Sequence, residues 1–160
     1  MILPAQTIRA LQPVEPFAER TAINGATGGL GPAGYDIHID QDIWLWPGRF
    51  LLASAAEHFQ MPADVLGVVH DKSTWARRGV AVQNTVIEPG WSGYLTLEVT
   101  LHAWRFLRIC RGTPIAQILF HRLEQATEAP YQGRYQDQAR GPQPALATPP
   151  RDPAEKIEGV

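Results

Sequence analysis

The stretch HDKSTWARRGVAVQNTVIEPGWSGYLTLE, residues 70–98, decides how the chain folds. It sets a polar, cation-bearing turn (Asp71, Lys72, Ser73, Thr74, Arg77, Arg78) between two apolar strand-like runs. It then crosses a Pro89-Gly90-Trp91 corner and ends in an alternating strand. Side chains alternate across a strand, so Leu95, Leu97 and Val99 share one face while Tyr94, Thr96 and Glu98 share the other. No other stretch concentrates so many groups suited to binding an anion and moving a proton.

On the N-terminal side, MILPAQTIRALQ predicts a short helix entered near Pro4, with Ile8 and Leu11 on one side. Residues 13–34 are rich in Gly, Pro and Ala and are expected to be mostly loop. The GATGGLGPAG run within them lacks the strand, the Gly-Lys-Ser/Thr and the helix that would make it a phosphate loop. From Tyr35 the texture changes. YDIHID alternates, DIWLWPG closes on a turn, and RFLLASAAEHFQMP and ADVLGVVH are bounded by Pro or Gly. TLEVTLHAW, RFLRICRG and TPIAQILFHRL continue the pattern, and short strands at even spacing predict an all-β barrel or sandwich rather than a βαβ fold.

The tail from about residue 126 is polar and Pro-rich and cannot bury enough surface to fold alone. Tyr131, Arg134 and Tyr135 predict order up to about Pro142, over a ligand or a neighbouring subunit. One domain over 1–142 and a disordered tail over 143–160 are therefore expected.

At 160 residues the chain can bury a sizeable single core. A formal net charge of −2 provides no basic field for holding nucleic acid, so an anion must be captured locally. No apolar run reaches membrane-spanning length and the N-terminus lacks a signal-peptide pattern. Cys110 is the only cysteine, which precludes an intrachain disulfide and suits a reducing compartment; a cytoplasmic protein is expected. A zinc deaminase needs a His or Cys plus two more cysteines around the metal. One cysteine cannot supply that set, and His38, His58, His70, His102 and His121 show no ligand-pair spacing, so no zinc site is expected. Cys110 in an apolar run is expected to be a buried structural residue.

Lys72, Ser73, Thr74 and Arg77 offer an ammonium, two hydroxyls and a planar fork of donors, a set suited to phosphate oxygens. On residue types alone, the same turn could be a capped surface turn with solvated charges. Glu98 lies in an apolar strand, where burying a carboxylate unpaired costs several kcal/mol. If it faces a pocket, burial raises its pKa toward the range of a general base; otherwise it is an outward surface residue. Glu88, before the corner, could bind, catalyse or cap the turn. Trp44, Trp46, Trp75 and Trp104 are expected as core or contact anchors, with Trp91 nearer a pocket. Asp36 is expected to stabilise the fold, and Arg105, Arg108 and Arg111 to form a solvated or intersubunit face.

DKSTWARRG followed by NTVIEPGWSGYLTLE resembles the core of the dCTP deaminases, relatives of the trimeric dUTPases. MILPAQTIRAL is similar to that family's N-terminal helix, AGYDIHID to its early strand, and YQGRYQDQARGP to its C-terminal segment, so the resemblance spans nearly all of 1–142. It implies a distorted β-barrel of the dUTPase, or β-clip, type with a short N-terminal helix. It also implies a homotrimer with intersubunit active sites and a tail that closes over the nucleotide. The implied activity is hydrolytic deamination of dCTP to dUTP and ammonia. Glu98 would activate water for attack on cytosine C4, and Ser73 and Arg77 would position that water and the glutamate. Lys72, Ser73 and Thr74 fall on triphosphate-binding positions, with Lys72 replacing the more usual arginine. Asn84, Thr85, Val86, Glu88 and Trp91 fall on the hairpin and corner beside the base. Tyr131, Arg134 and Gln138 match tail residues that contact the nucleotide, with Arg134 where a lysine is usual. Magnesium is implied as a companion of the triphosphate.

The hairpin VAVQNTVIE, residues 80–88, is shorter than in many deaminases and closer to the dUTPases, whose acidic residue after the isoleucine is a catalytic base. Glu88 occupies that place. The tyrosine of the dUTPase motif and its Gly-rich, Phe-containing C-terminal motif are both missing, which favours the deaminase. The alternatives are a dUTP diphosphatase, a bifunctional enzyme taking dCTP to dUMP, and a non-catalytic nucleotide-binding regulator.

Overall fold

The computed structural model describes residues 1–147. Helix α1 (Ala5–Leu11) is entered from Pro4, whose carbonyl accepts the amides of Thr7 and Ile8, and it buries Ile8 completely. Twelve strands follow: β1 (Val14–Glu15), β2 (Thr21–Ile23), β3 (Ala26–Gly31), β4 (Gly34–His38), β5 (Ile43–Leu45), β6 (Phe50–Gln60), β7 (Val65–Asp71), β8 (Val80–Val82), β9 (Val86–Ile87), β10 (Ser92–Leu101), β11 (Leu107–Ile109) and β12 (Pro114–Arg122). A single-turn helix, α2 (Ser73–Ala76), sits between β7 and β8, where the polar turn is quoted above.

The strands form a six-stranded sheet in the order β2-β3-β4-β12-β7-β9, a four-stranded sheet β1-β6-β10-β8 and a two-stranded ribbon β11-β5. All pairings are antiparallel between the named strands. The expected all-β architecture with a short N-terminal helix is what the chain adopts. Tyr35, Ile37, Phe59, Leu97, Ile118 and Phe120 are fully or nearly fully buried between the sheets, and Leu95, Leu97 and Val99 of β10 point into that core as their alternation requires. Among the described residues no helix is long and apolar enough to cross a membrane.

The loop expected over residues 13–34 is incorrect, because β2 and β3 form a hairpin there that continues into β4. Glycine conceals the strand: without side chains, β3 displays no alternation to read. Its Gly29 has φ of +74°, and a Cβ at that position would lie 2.2 Å from the carbonyl oxygen of Glu19. Only glycine lets the two backbones pass that closely. Cys110 is half-buried just beyond β11 rather than fully buried. Trp75 is buried, its Nε1 donating to the carbonyl of Pro114, whereas Trp44, Trp46 and Trp104 are exposed.

The tail forms no regular strand, yet it is pinned to β10. Asp137 N donates to Ser92 O, Tyr94 N to Gln138 O and Gln143 N to Thr96 Oγ1, each within 3.0 Å. The β6–β10 register shifts between Tyr94 and Thr96, where the tail crosses. Gly93, with φ of +142°, lets it in: a Cβ there would meet the amide nitrogen of Gln138 at 2.6 Å. These contacts extend past the expected limit at 142, through Leu146, whose amide donates to the Tyr135 hydroxyl. The disorder expected for the end of the chain concerns mainly residues 148–160, which lie outside the described residues.

Candidate active site

A cavity of about 570 Å³ opens between β6, β10, the β8–β9 connection, the Pro89-Gly90-Trp91 corner and the tail. Glu98 lies on its wall beside Leu52, its register partner on β6, with Thr96 one step along the same face. The segment expected as a hairpin does not pair with itself: β8 pairs with β10 and β9 with β7, so it bridges the two sheets, with Gln83 N donating to Glu98 O on β10 and Val69 N of β7 donating to Thr85 O. Opposite, Trp91 is buried and its Nε1 donates to Tyr135 O at 2.6 Å, which ties the corner to the tail.

Of the residues singled out in the sequence, Glu98, Thr85, Val86, Glu88, Trp91, Tyr131 and Gln138 all line this one cavity. Asn84 is exposed on the β8–β9 connection and Arg134 on the tail, the latter donating to Leu146 O. Ser73, Thr74 and Arg77 lie on or beside α2 and are not part of the wall. Ser73 and Arg77 are exposed, and neither side chain has a hydrogen-bond or ion-pair partner among the described residues. Lys72 is buried beneath α2. Its Nζ donates to Asp36 Oδ2 at 2.5 Å and to Thr27 Oγ1 at 3.3 Å, and Gln117 Nε2 donates to Asp36 Oδ1. Its ammonium therefore points into the six-stranded sheet and away from solvent.

Sequence reasoning gave no site role to Phe50, Leu52, Ile87, Leu95, Thr96, Gln143, Pro144 and Ala145 and named Tyr135 only as an ordering residue of the tail; together these complete the wall. The alternation that selected Glu98 also selects Thr96. Phe50 and Leu52 reach the cavity through the β6 register, and Gln143, Pro144 and Ala145 through the path of the tail, without a local signal.

The electrostatics centre on Glu98. Among the described residues its Oε2 is the one buried side-chain oxygen or nitrogen without a hydrogen-bond partner. Desolvation by the apolar wall pushes its carboxyl above the ordinary value of 4.5, only partly opposed by a bond from its own backbone amide. A carboxylate raised in this way is a stronger base, and its free lone pairs point where a donor such as water could be taken.

A stability consequence follows with a definite sign. The unfolded chain releases this proton at lower pH than the folded one, so the stability tied to protonated Glu98 is complete below about 4.5 and is lost as pH rises through the raised folded value. Glu98→Gln removes that loss. The variant should melt above the parent at neutral pH, and the difference should shrink as pH falls toward the unfolded carboxyl range in a calorimetric series. A variant that melts lower at neutral pH would contradict the desolvated state of this carboxyl.

Comparison with known proteins places this arrangement in a family. The dCTP deaminase-like family profile matches residues 34–123, more than half of the chain, from β4 through β12. The chain belongs to the dCTP deaminase-like family. It is 31% identical over 160 aligned residues to a dCTP deaminase of Campylobacter fetus subsp. fetus, covering 79% of this chain and 86% of that one. A dCTP deaminase of Thermococcus sibiricus is 34% identical, with 85% and 92% covered. Among solved structures, a dUTPase from phage phi11 of S. aureus aligns with a TM-score of 0.56 at 15% identity, covering 75% of this chain and 95% of that one. The EIAV dUTPase aligns with a TM-score of 0.52 at 20% identity, covering 63% and 84%. These two likenesses establish a shared dUTPase-type fold, which the family's matched segment spans.

Proposed function

We propose that this chain hydrolyses dCTP to dUTP and ammonia, with Glu98 as the group that moves the protons. The observation that carries the reading is the half-buried Glu98 carboxylate, with one orphaned oxygen, on the wall of an apolar cavity of nucleoside size. Relatives named dCTP deaminase across most of the chain support it. Glu98 accepts a proton from water as the oxygen adds to cytosine C4. The carboxylic acid then protonates N3, and transfer of a second proton from the new hydroxyl to the amine allows the C4–N4 bond to break and ammonia to leave.

None of the described residues lining the cavity is Lys or Arg, yet a nucleoside triphosphate carries several negative charges. The exposed face of α2, with Arg77 and Arg78 at its end, is the proposed source of positive charge, supplied by a neighbouring copy together with Ser73. An assembly with shared sites, a homotrimer by family likeness, would bring them there. There Ser73 and Arg77 position water and carboxylate, Thr74 approaches the phosphates, and Asn84, Thr85 and Val86 face the base edge with main-chain groups. Tyr131, Arg134 and Gln138 close the tail side. Lys72 acts from beneath, holding α2 in place. Among the described residues, no three His, Cys, Asp or Glu side chains gather as metal ligands. By family likeness, the magnesium of this reading travels on the triphosphate oxygens, as part of the substrate. A structural Mg(II) ion is described for the phage phi11 dUTPase.

The test is a product assay with magnesium in which dCTP and dUTP are offered separately and ammonia, dUTP, dUMP and pyrophosphate are resolved. Ammonia and dUTP from dCTP alone are expected. Conversion of dUTP to dUMP would instead assign a catalytic role to Glu88, which shares the cavity but is exposed. Binding of either nucleotide without turnover would make the chain a regulator.

A further inference from the structure

Two residues outside the cavity join its tail side to the barrel. Arg140 lies in the tail between two residues of the cavity wall, Gln138 and Gln143. Its guanidinium grips Asp40 with two parallel bonds, Nε to Oδ2 and Nη2 to Oδ1, both 2.7 Å. Asp40 follows β4, its amide donates to Ser54 O, and its side chain is only 13% exposed, so it is a fixed point of the barrel. A two-pronged bond to such a point fixes orientation as well as distance. The hydrogen bonds from Arg140, with the charges of Arg140 and Arg111, hold the Asp40 carboxyl below the usual range, which keeps it ionised.

On each side of Arg140 the tail reaches the same atom. Gln138 Nε2 donates to Thr96 Oγ1 at 2.9 Å and to Tyr94 O at 2.7 Å, and Gln143 N donates to Thr96 Oγ1 at 3.0 Å. Thr96 stands two residues from Glu98 on the same face of β10. The tail segment therefore turns about a single hydroxyl beside the proposed base. Arg140 is the one residue of that turn whose side chain is clamped to a different part of the barrel.

We propose that the Arg140–Asp40 pair is a positioning latch that sets Gln138 and Gln143 against Thr96 and thereby shapes the substrate side of the Glu98 cavity. The latch acts on nucleotide capture rather than on the chemical step, because neither residue lines the cavity. The substrate-positioning part rests on the deaminase reading above, whereas the latch itself does not.

The test uses the full chain and three variants, Arg140→Gln, Asp40→Asn and Arg111→Gln. The last removes a second partner of Asp40, 3.0 Å from Oδ1, that does not belong to the tail. Amide hydrogen exchange without nucleotide should be about tenfold faster for Tyr94, Asp137 and Gln143 in Arg140→Gln and Asp40→Asn, and unchanged in Arg111→Gln. With dCTP, KM should rise roughly three- to tenfold in the first two variants, with kcat within about twofold of the parent. The double variant Arg140→Gln/Asp40→Asn should lose less than the two singles added together, the mark of two residues that share a bond, although Asp40 also meets Arg111 and Arg140 also lies over the Tyr94 ring. Unchanged exchange would overturn the latch whatever the substrate is. Faster exchange with unaltered KM, or an equal loss in Arg111→Gln, would overturn the positioning role. A parent chain that does not turn over dCTP would overturn the deaminase reading and that role together, while the exchange result would still decide the latch.

Discussion

Glu98→Gln is expected to lower the rate of ammonia release from dCTP by about 10²–10⁴-fold while leaving nucleotide affinity within a few-fold of the parent. Glutamine matches glutamate in shape and keeps one oxygen near the cavity, so Leu52 and Thr96 retain their neighbour. What it loses is the capacity to take a proton from water and return it to N3. The remaining catalysis would come from orientation and from the donors around the site, which the substitution leaves alone. Steady-state ammonia release, paired with dCTP titration followed by isothermal titration calorimetry, separates the two effects. Full activity would remove Glu98 from the reaction. Loss of both rate and binding would make it a recognition residue instead. The buried oxygen without a partner gives the prediction its force: a purely structural carboxylate at this depth would be expected to carry a hydrogen bond or an ion pair.

The strand that bears Glu98 was legible because β10 is amphipathic over its whole length, and a period of two fixes which residues face the core without knowledge of its neighbours. α1, β6, β7 and β12 were legible for the same reason, each carrying an apolar pattern and a Pro or Gly boundary. The β2–β3 hairpin was not. Its strand is a run of small residues whose role is to let backbones approach, and that role leaves no periodic trace. The cavity divides along the same line. Thr85, Val86, Glu88, Trp91 and Glu98 lie close together in sequence on one connecting segment and the strand after it, so they reach the cavity together. Phe50 and Leu52 arrive through the β6–β10 register, and Gln143, Pro144 and Ala145 through a tail with no regular structure. The aromatic and basic pattern of Tyr131, Arg134 and Tyr135 predicted an ordered tail, but Gln138 and any contact of these residues with a nucleotide were named only through family likeness, since tail composition predicts disorder as readily as a lid.

Lys72 marks the limit of residue-type reasoning, and its substitution is expected to have the largest effect on stability. In sequence it belongs to a run of phosphate-binding types, but in the fold it is 8% exposed and joined to Asp36, itself 8% exposed and far away in the chain. Lys72→Met leaves that carboxylate buried with only Gln117 to satisfy it, and removal of one partner from a buried pair costs about 3–5 kcal/mol. Lys72→Met/Asp36→Leu removes both charges together and should recover most of that loss, since a well-packed apolar pair is often as stable as a buried ionic one. Urea unfolding of the two variants measures the difference. Because the Lys72 ammonium does not line the cavity, the double variant should keep its nucleotide affinity if α2 holds its place. The opposite pattern, full stability in Lys72→Met with triphosphate affinity lost, would return this lysine to the phosphate and require the Asp36 pair to open when nucleotide binds. The pair is thus the point where a frame residue and a ligand residue, identical in sequence, give opposite results.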